Sequence, residues 1–184
     1  MRSLEDVVLT TERLRLRPLM PSDAASLYAV FSDAAVMRYW STAPWTSDAA
    51  AHELIAKDVR AHADGAYVRL GIEVHSTGAL IGTCTLFDLV PQCRRAEIGY
   101  ALARAAWGNG YMHEALIALV AFGFRDLDLN RIEADIDPRN EASARSLERL
   151  GFVKEGHLRE RWIVEGEVSD TGLYGLLRRE WRLG

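Results

Sequence analysis

Three observations predict a single-domain α/β fold, of mixed α+β type, built around one mostly antiparallel sheet. Segments with a period of two alternate with segments of helical period, in the order β α α β β β α β α β β. The middle of the chain holds three strand-like runs joined only by turn-sized links, which reads as an antiparallel meander. No internal repeat, low-complexity tract or pooled Pro/Gly linker interrupts the 184 residues, so we place no boundary and expect one domain over 1–184.

The elements follow in order. ERLRLRPL (12–19) alternates Leu14 and Leu16 with Arg13, Arg15 and Arg17, a half-buried strand that stops at Pro21. Ser22 is expected to cap a helix over 23–31, with Ala24, Leu27 and Phe31 on one stripe. Ser47 opens a longer helix whose expected stripe is Ala51, Ile55, Val59 and His62. Strands are expected at 67–74, 79–89 and 94–102, with HSTG and PQC as the turns. Met112, Leu116, Leu119, Val120, Gly123 and Leu127 recur every three or four residues and predict a helix from Tyr111. RIEADI (131–136) reads as a strand, and EASARSLERL (141–150) as a helix with Gly151 in the C′ position. Two last strands, 152–164 and 169–177, turn through a link that includes Gly166.

Composition narrows function. A formal charge of −4, from 22 Lys plus Arg against 26 Asp plus Glu, provides no global basic field for a nucleic acid. The longest apolar stretch, 115–124, is far short of the roughly 20 residues that span a bilayer, and MRSLEDVVLTTERL carries no apolar signal core, so no membrane partner and a cytoplasmic location are expected. Cys84 and Cys93 form no disulfide framework, and the five histidines share no ligand spacing, so no metal is implied.

The most informative segment is EIGYALARAAWGNGYMHEAL (97–116), in which a strand passes through a loop with Gly108 and Gly110 directly into a helix. The free N–H groups of a first helical turn favour an anion, and glycine lets a phosphate approach the backbone closely. The loop is neither a Walker sequence nor a GxGxxG fingerprint, and a ligand-free turn remains the alternative reading.

These residues resemble the GNAT superfamily of acetyl-CoA-dependent N-acetyltransferases, and within it the ribosomal-protein alanine and serine acetyltransferases RimJ and RimL. The resemblance rests on ERLRLRPL with SDAASLY, IGYAL with WGNGYMHEAL, RIEADIDPRNEAS, LERLGFVKEGHLRE and SDTGLYGLL, and covers nearly the whole chain. It implies a splayed sheet and acetyl-CoA as cosubstrate. Backbone of Tyr100, Ala101 and Leu102 would pair with the pantetheine arm, and Gly108, Asn109, Gly110, Tyr111, Met112 and His113 would hold the pyrophosphate. Asn140 and Ser143 match an NxxS element beside the pantetheine, although capping of the helix explains the same pair. Trp107 and Met112 depart from the basic or amide residue and the small residue that such loops carry. A homodimer is suggested by analogy alone.

Acetyl transfer to an amine needs a base, because an amine with a lysine-like pKa of about 10.4 is mostly protonated at neutral pH. Glu97 and Asp135 are the candidates. Glu97 shares a strand face with Gly99 and Ala101, and Asp135 one with Glu133 and Asp137. The tyrosine that many relatives use as acid is replaced by Leu147, which leaves Ser143 as the nearest donor and Tyr174 as a weaker one. Neither cysteine supports a covalent route, so direct transfer is expected. MRYWSTAPW (37–45) is expected to wall the acceptor, which the resemblance makes a protein N-terminus, with a polyamine or aminoglycoside, or a catalytically idle acyl-CoA-binding module, as alternatives.

Overall fold

A computed structural model describes residues 4–182; the first three residues of the stretch read for a secretion signal lie outside them. Eight strands form one sheet: β1 (Leu9–Thr10), β2 (Leu14–Arg17), β3 (Val68–Val74), β4 (Leu80–Val90), β5 (Arg95–Leu102), β6 (Arg131–Ile136), β7 (Val153–Val164) and β8 (Glu167–Leu177). Their order is β1-β2-β3-β4-β5-β6-β8-β7, antiparallel throughout except at the β5–β6 pair, which is parallel. The expected mostly antiparallel sheet is therefore present. Five helices cover it: α1 (Ala24–Phe31), α2 (Ala34–Met37), α3 (Ala49–Asp64), α4 (Tyr111–Arg125) and α5 (Glu141–Arg149).

Strand alternation divides the core into two layers. Leu14 and Leu16 of β2, Leu70 and Ile72 of β3, Cys84 and Leu86 of β4, Ile98 of β5 and Ile132 of β6 point to one face, under α4 and Leu147 of α5. On the other face α1, α2 and α3 pack Leu27, Phe31, Met37, Ala51 and Ile55 against Leu80 and Ala101. Gly123 sits where an added Cβ would meet Leu86, Ile132 and Leu129 at 3.1–3.2 Å, so its lack of a side chain lets α4 lie close on the sheet.

Several local expectations need correction. Ser22 caps nothing: a 3-10 turn at Pro21–Asp23 precedes α1, whose N-cap position falls to Asp23 without a side-chain cap bond, because the Asp23 carboxylate is turned back to accept from Met20 N and from the Arg17 guanidinium. Val59 is 58% exposed, and Asp58 takes the inward place expected for it. The spacing 51, 55, 58, 62 follows 3.6 residues per turn more closely, and the buried carboxylate is made tolerable by Tyr67 and Arg69, each 2.7 Å from its Oδ1. The two-residue β1 and four-residue α2 went unseen, since neither is long enough to show a period. The last hairpin turns tightly at Glu165 and Gly166, both at positive φ, so β8 begins at Glu167 rather than at residue 169. Gly151, at φ +93 after α5, is the expected C′ residue.

Candidate active site

The parallel pair opens like a wedge. β5 and β6 are in register at Arg95/Arg131, Ala96/Ile132 and Glu97/Glu133, and share no bridge beyond. β5 nevertheless runs on beside β4 to Leu102, and β6 beside β8 to Ile136. The gap is a cleft of about 750 Å³ that reaches Glu97, Tyr100, Asp135, Asn140 and Ser143. Sequence-predicted residues far apart in the chain are thus brought to one place by divergence of two strands.

Because side chains alternate along β5, the cleft has chemically different sides. Glu97 and Gly99 face the α1–α3 layer with Phe87 of the adjoining strand, whereas Tyr100 points to the α4–α5 layer. Burial raises the Glu97 carboxyl above the usual range, and Asp88, Asp135 and Glu133 push it the same way against Arg95. Of Glu97, Glu133, Asp135 and Asp137, Glu97 alone has no hydrogen bond to another described residue. Glu133 is held by Arg95 at 2.8 Å and Arg131 at 2.6 Å. Asp135 accepts from the buried Thr171 hydroxyl at 3.1 Å and lies 4.0 Å from Arg161. Asp137 is bound by Arg139, which also reaches Glu167 at 2.6 Å and stacks over Tyr39.

On the other side, Asn140 caps α5 by accepting from Ser143 N at 3.1 Å. The Tyr100 hydroxyl lies 2.7 Å from the Ser143 Oγ, and burial pushes the phenol up to about 12. The sequence singled out Tyr100 for its backbone only; its side chain is the residue that reasoning missed, since a contact across 43 positions has no local signature. Leu147 has no proton to give, and neither it nor Tyr174, both packed in the core, lines the cleft, so neither is placed as a donor.

At the start of α4, among residues that do not line the cleft, Gly108 and Gly110 both adopt φ +76, and Gly110 is the N-cap with no side chain capping the helix. The first-turn N–H groups of Tyr111, Met112 and His113 are therefore left for an outside acceptor. Arg13 braces this loop: its Nη1 donates to Asn109 O at 2.9 Å, its Nε to Glu114 at 2.6 Å, and its guanidinium lies 4.7 Å over the Tyr111 ring. Asn109 turns its own amide onto Ala106 O and Trp107 O. Trp107 donates its indole N–H to Leu102 O at 2.8 Å, so that carbonyl of the strand edge is already in use; the Ala101 backbone turns to Thr83 of β4 rather than outward, which corrects the expected edge role of Ala101 and leaves Tyr100 as the open part.

The aromatic segment splits in two. Tyr39 and Trp40 line the cleft, but Trp45 stacks on Phe31 with centroids 4.7 Å apart and belongs to the second core layer. Cys84 is buried, its thiol pushed up to about 12, and neither it nor Cys93 reaches the cleft. Among the described residues no helix is long and apolar enough to cross a membrane.

Comparison with known proteins places this geometry. Residues 13–153 match the acetyltransferase (GNAT) domain model. The uncharacterised N-acetyltransferase p20 of Bacillus licheniformis is 39% identical over 173 residues, covering 94% of this chain and 97% of its own. The [ribosomal protein uS5]-alanine N-acetyltransferase of Escherichia coli is 28% identical, with 97% and 94% covered. The spermidine N-acetyltransferase of Vibrio cholerae, solved in complex with CoA and spermine, superposes with a TM-score of 0.82 at 26% identity, over 92% of this chain and 98% of that one. With a matched domain over residues 13–153 and a relative 39% identical along nearly the whole chain, the chain belongs to the GNAT family of acetyltransferases.

Proposed function

We propose that the protein acetylates the α-amine of a protein N-terminus by direct transfer from acetyl-CoA, with Glu97 as the base. The observation that carries this is the placement of Glu97: a carboxylate with a raised pKa, free of hydrogen bonds to described residues, on the cleft side opposite Tyr100 and Ser143. An α-amine, with a pKa of about 7.7–8.0, is closer to such a carboxylate than a lysine-like amine at about 10.4, so less of the barrier is spent on removing its proton.

The cosubstrate fits the site without new side chains. The uncapped N–H groups after Gly110 suit the pyrophosphate, and the β5 edge at Tyr100, turned away from β4, suits the pantetheine amides as a further strand partner. The thioester then reaches Ser143, with the amine arriving from the Glu97 side. The nitrogen lone pair attacks the carbonyl carbon, Glu97 accepts the proton directly or through water, and the C–S bond breaks with its electron pair on sulfur. Asp135, engaged by Thr171, acts by raising the pKa of Glu97.

A second reading has its own support. Six carboxylates against three arginines line the cleft, with Tyr39, Trp40 and Trp162 among the aromatics, an environment that also suits a polycationic small amine. Thiol-release assays with N-terminal Ala and Ser peptides, spermidine and an aminoglycoside separate the two. Turnover of peptides supports the α-amine reading, saturation by spermidine alone overturns it, and CoA binding without turnover of any amine supports an idle module.

A further inference from the structure

The Ser143 hydroxyl is not where a helical serine usually puts it. Within the same helix Ser146 Oγ donates to Ala142 O at 2.9 Å, the ordinary sink for a serine one turn on. Ser143 Oγ instead meets the Tyr100 hydroxyl at 2.7 Å, its one hydrogen-bond partner among the described residues. Both groups line the cleft, Ser143 at 8% exposure.

The direction of this bond follows from chemistry. A phenol is a stronger acid than an aliphatic alcohol and so the better donor of the two. If Tyr100 donates, Ser143 Oγ is the acceptor and its own proton has to point elsewhere. The open direction is the cleft. We propose that Tyr100 is a positioning residue which holds Ser143 as a hydrogen-bond donor to the sulfur of the departing thiolate. Burial, which pushes the phenol up to about 12, keeps it neutral and donating over the whole working pH range.

The assignment rests on the acetyl-CoA site proposed above. No proton need cross to sulfur during the step. The electron pair of the breaking C–S bond stays on sulfur, stabilised by the Ser143 O–H, and the thiolate takes its proton from water after release, while the proton from the amine leaves through Glu97. The chain's own contribution is a fixed dipole aimed at the charge that develops.

The test needs no acceptor amine. CoA is bound to the full-length protein, and its thiol is titrated by thiolate ultraviolet absorbance, with affinity followed by calorimetry. A charge-assisted hydrogen bond should lower the bound thiol pKa by about one unit relative to free CoA, a tenfold change in the thiolate equilibrium. Tyr100→Phe and Ser143→Ala should each abolish the shift, read on the complexes saturated with CoA, and the double variant should do no more than either. A thiol shift that survives Tyr100→Phe, or two losses that add, overturns the inference while leaving the CoA site standing. Failure of the unaltered protein to bind CoA removes both, and an unshifted thiol in a tight complex removes the Tyr100–Ser143 inference while the CoA site stands.

Discussion

Gly110→Ala separates backbone strain from ligand grip. Gly110 lies at φ +76, where an L side chain costs about 1–2 kcal/mol, and the added Cβ would stand 3.5 Å from Arg13 Nη2, an ordinary contact. Strain, not crowding, is therefore the perturbation. Gly78, in the turn between β3 and β4, has φ +67 with nothing within 4 Å of an added Cβ, so Gly78→Ala carries the same strain away from the cleft. For a chain of this size each variant should lose roughly 2–8 °C of Tm, at about 2–4 °C per kcal/mol. Their CoA affinities should part company. Relaxing φ at the N-cap turns the first N–H groups of α4 away, and one misaimed hydrogen bond to a charged group costs about 1.5–3 kcal/mol, some 10- to 100-fold in Kd. Calorimetric titration with CoA on both variants, alongside thermal melts, reads the difference. Equal affinities in Gly110→Ala, Gly78→Ala and the unaltered protein would show that the loop at 107–113 does not hold the pyrophosphate.

Other expectations concern the base, the buried charges and pH. Glu97→Gln should lower kcat by about 10²–10⁴-fold with CoA affinity retained, and should remove an acidic limb of the rate profile that lies above the ordinary carboxylate range, because the base works only when ionised; a profile unchanged in Glu97→Gln would exclude it. Asp135→Asn should move that limb to lower pH, since loss of a neighbouring negative charge eases ionisation of Glu97. Asp58→Ala should destabilise by about 3–5 kcal/mol in chemical denaturation, since it strips Arg69 and Tyr67 of a partner at the end of α3. Asp23 and Glu114 are both held low: burial works upward on each, but Arg17 at Asp23, and Thr11 and Arg13 at Glu114, prevail. A depressed folded pKa adds stability that is present above the unfolded values near 3.8 and 4.5 and is lost as pH falls through the folded ones. Melts between pH 6 and pH 3 should show that loss, and Asp23→Asn should flatten it.

The sequence by itself determined whatever depends on near neighbours. Leu14 and Leu16 alternate into one layer, the α4 stripe turns inward, Asn140 caps α5 and Gly151 ends it, because period and capping act within a few residues. That a loop with Gly108 and Gly110 runs directly into α4 was legible for the same reason. Exceptions such as Val59 arose where a local pattern allowed two answers and a distant partner chose; Arg69, eleven residues from Asp58, decided in favour of a carboxylate.

Tertiary structure alone decided how those pieces make a site. No local pattern states that β5 and β6 run parallel for three residues and then part, yet that divergence opens the cleft and frees the edge at Tyr100. Arg13 bracing a loop some hundred residues away, Trp107 occupying Leu102 O, and Tyr100 reaching Ser143 are long-range contacts between side chains whose sequence surroundings predict only a face. The contrast in hydrogen bonding between Glu97 and Asp135 is of the same kind. Both lie on half-buried strands, and what separates them is which neighbour donates a hydrogen bond and which only adds charge, a difference set by packing in three dimensions.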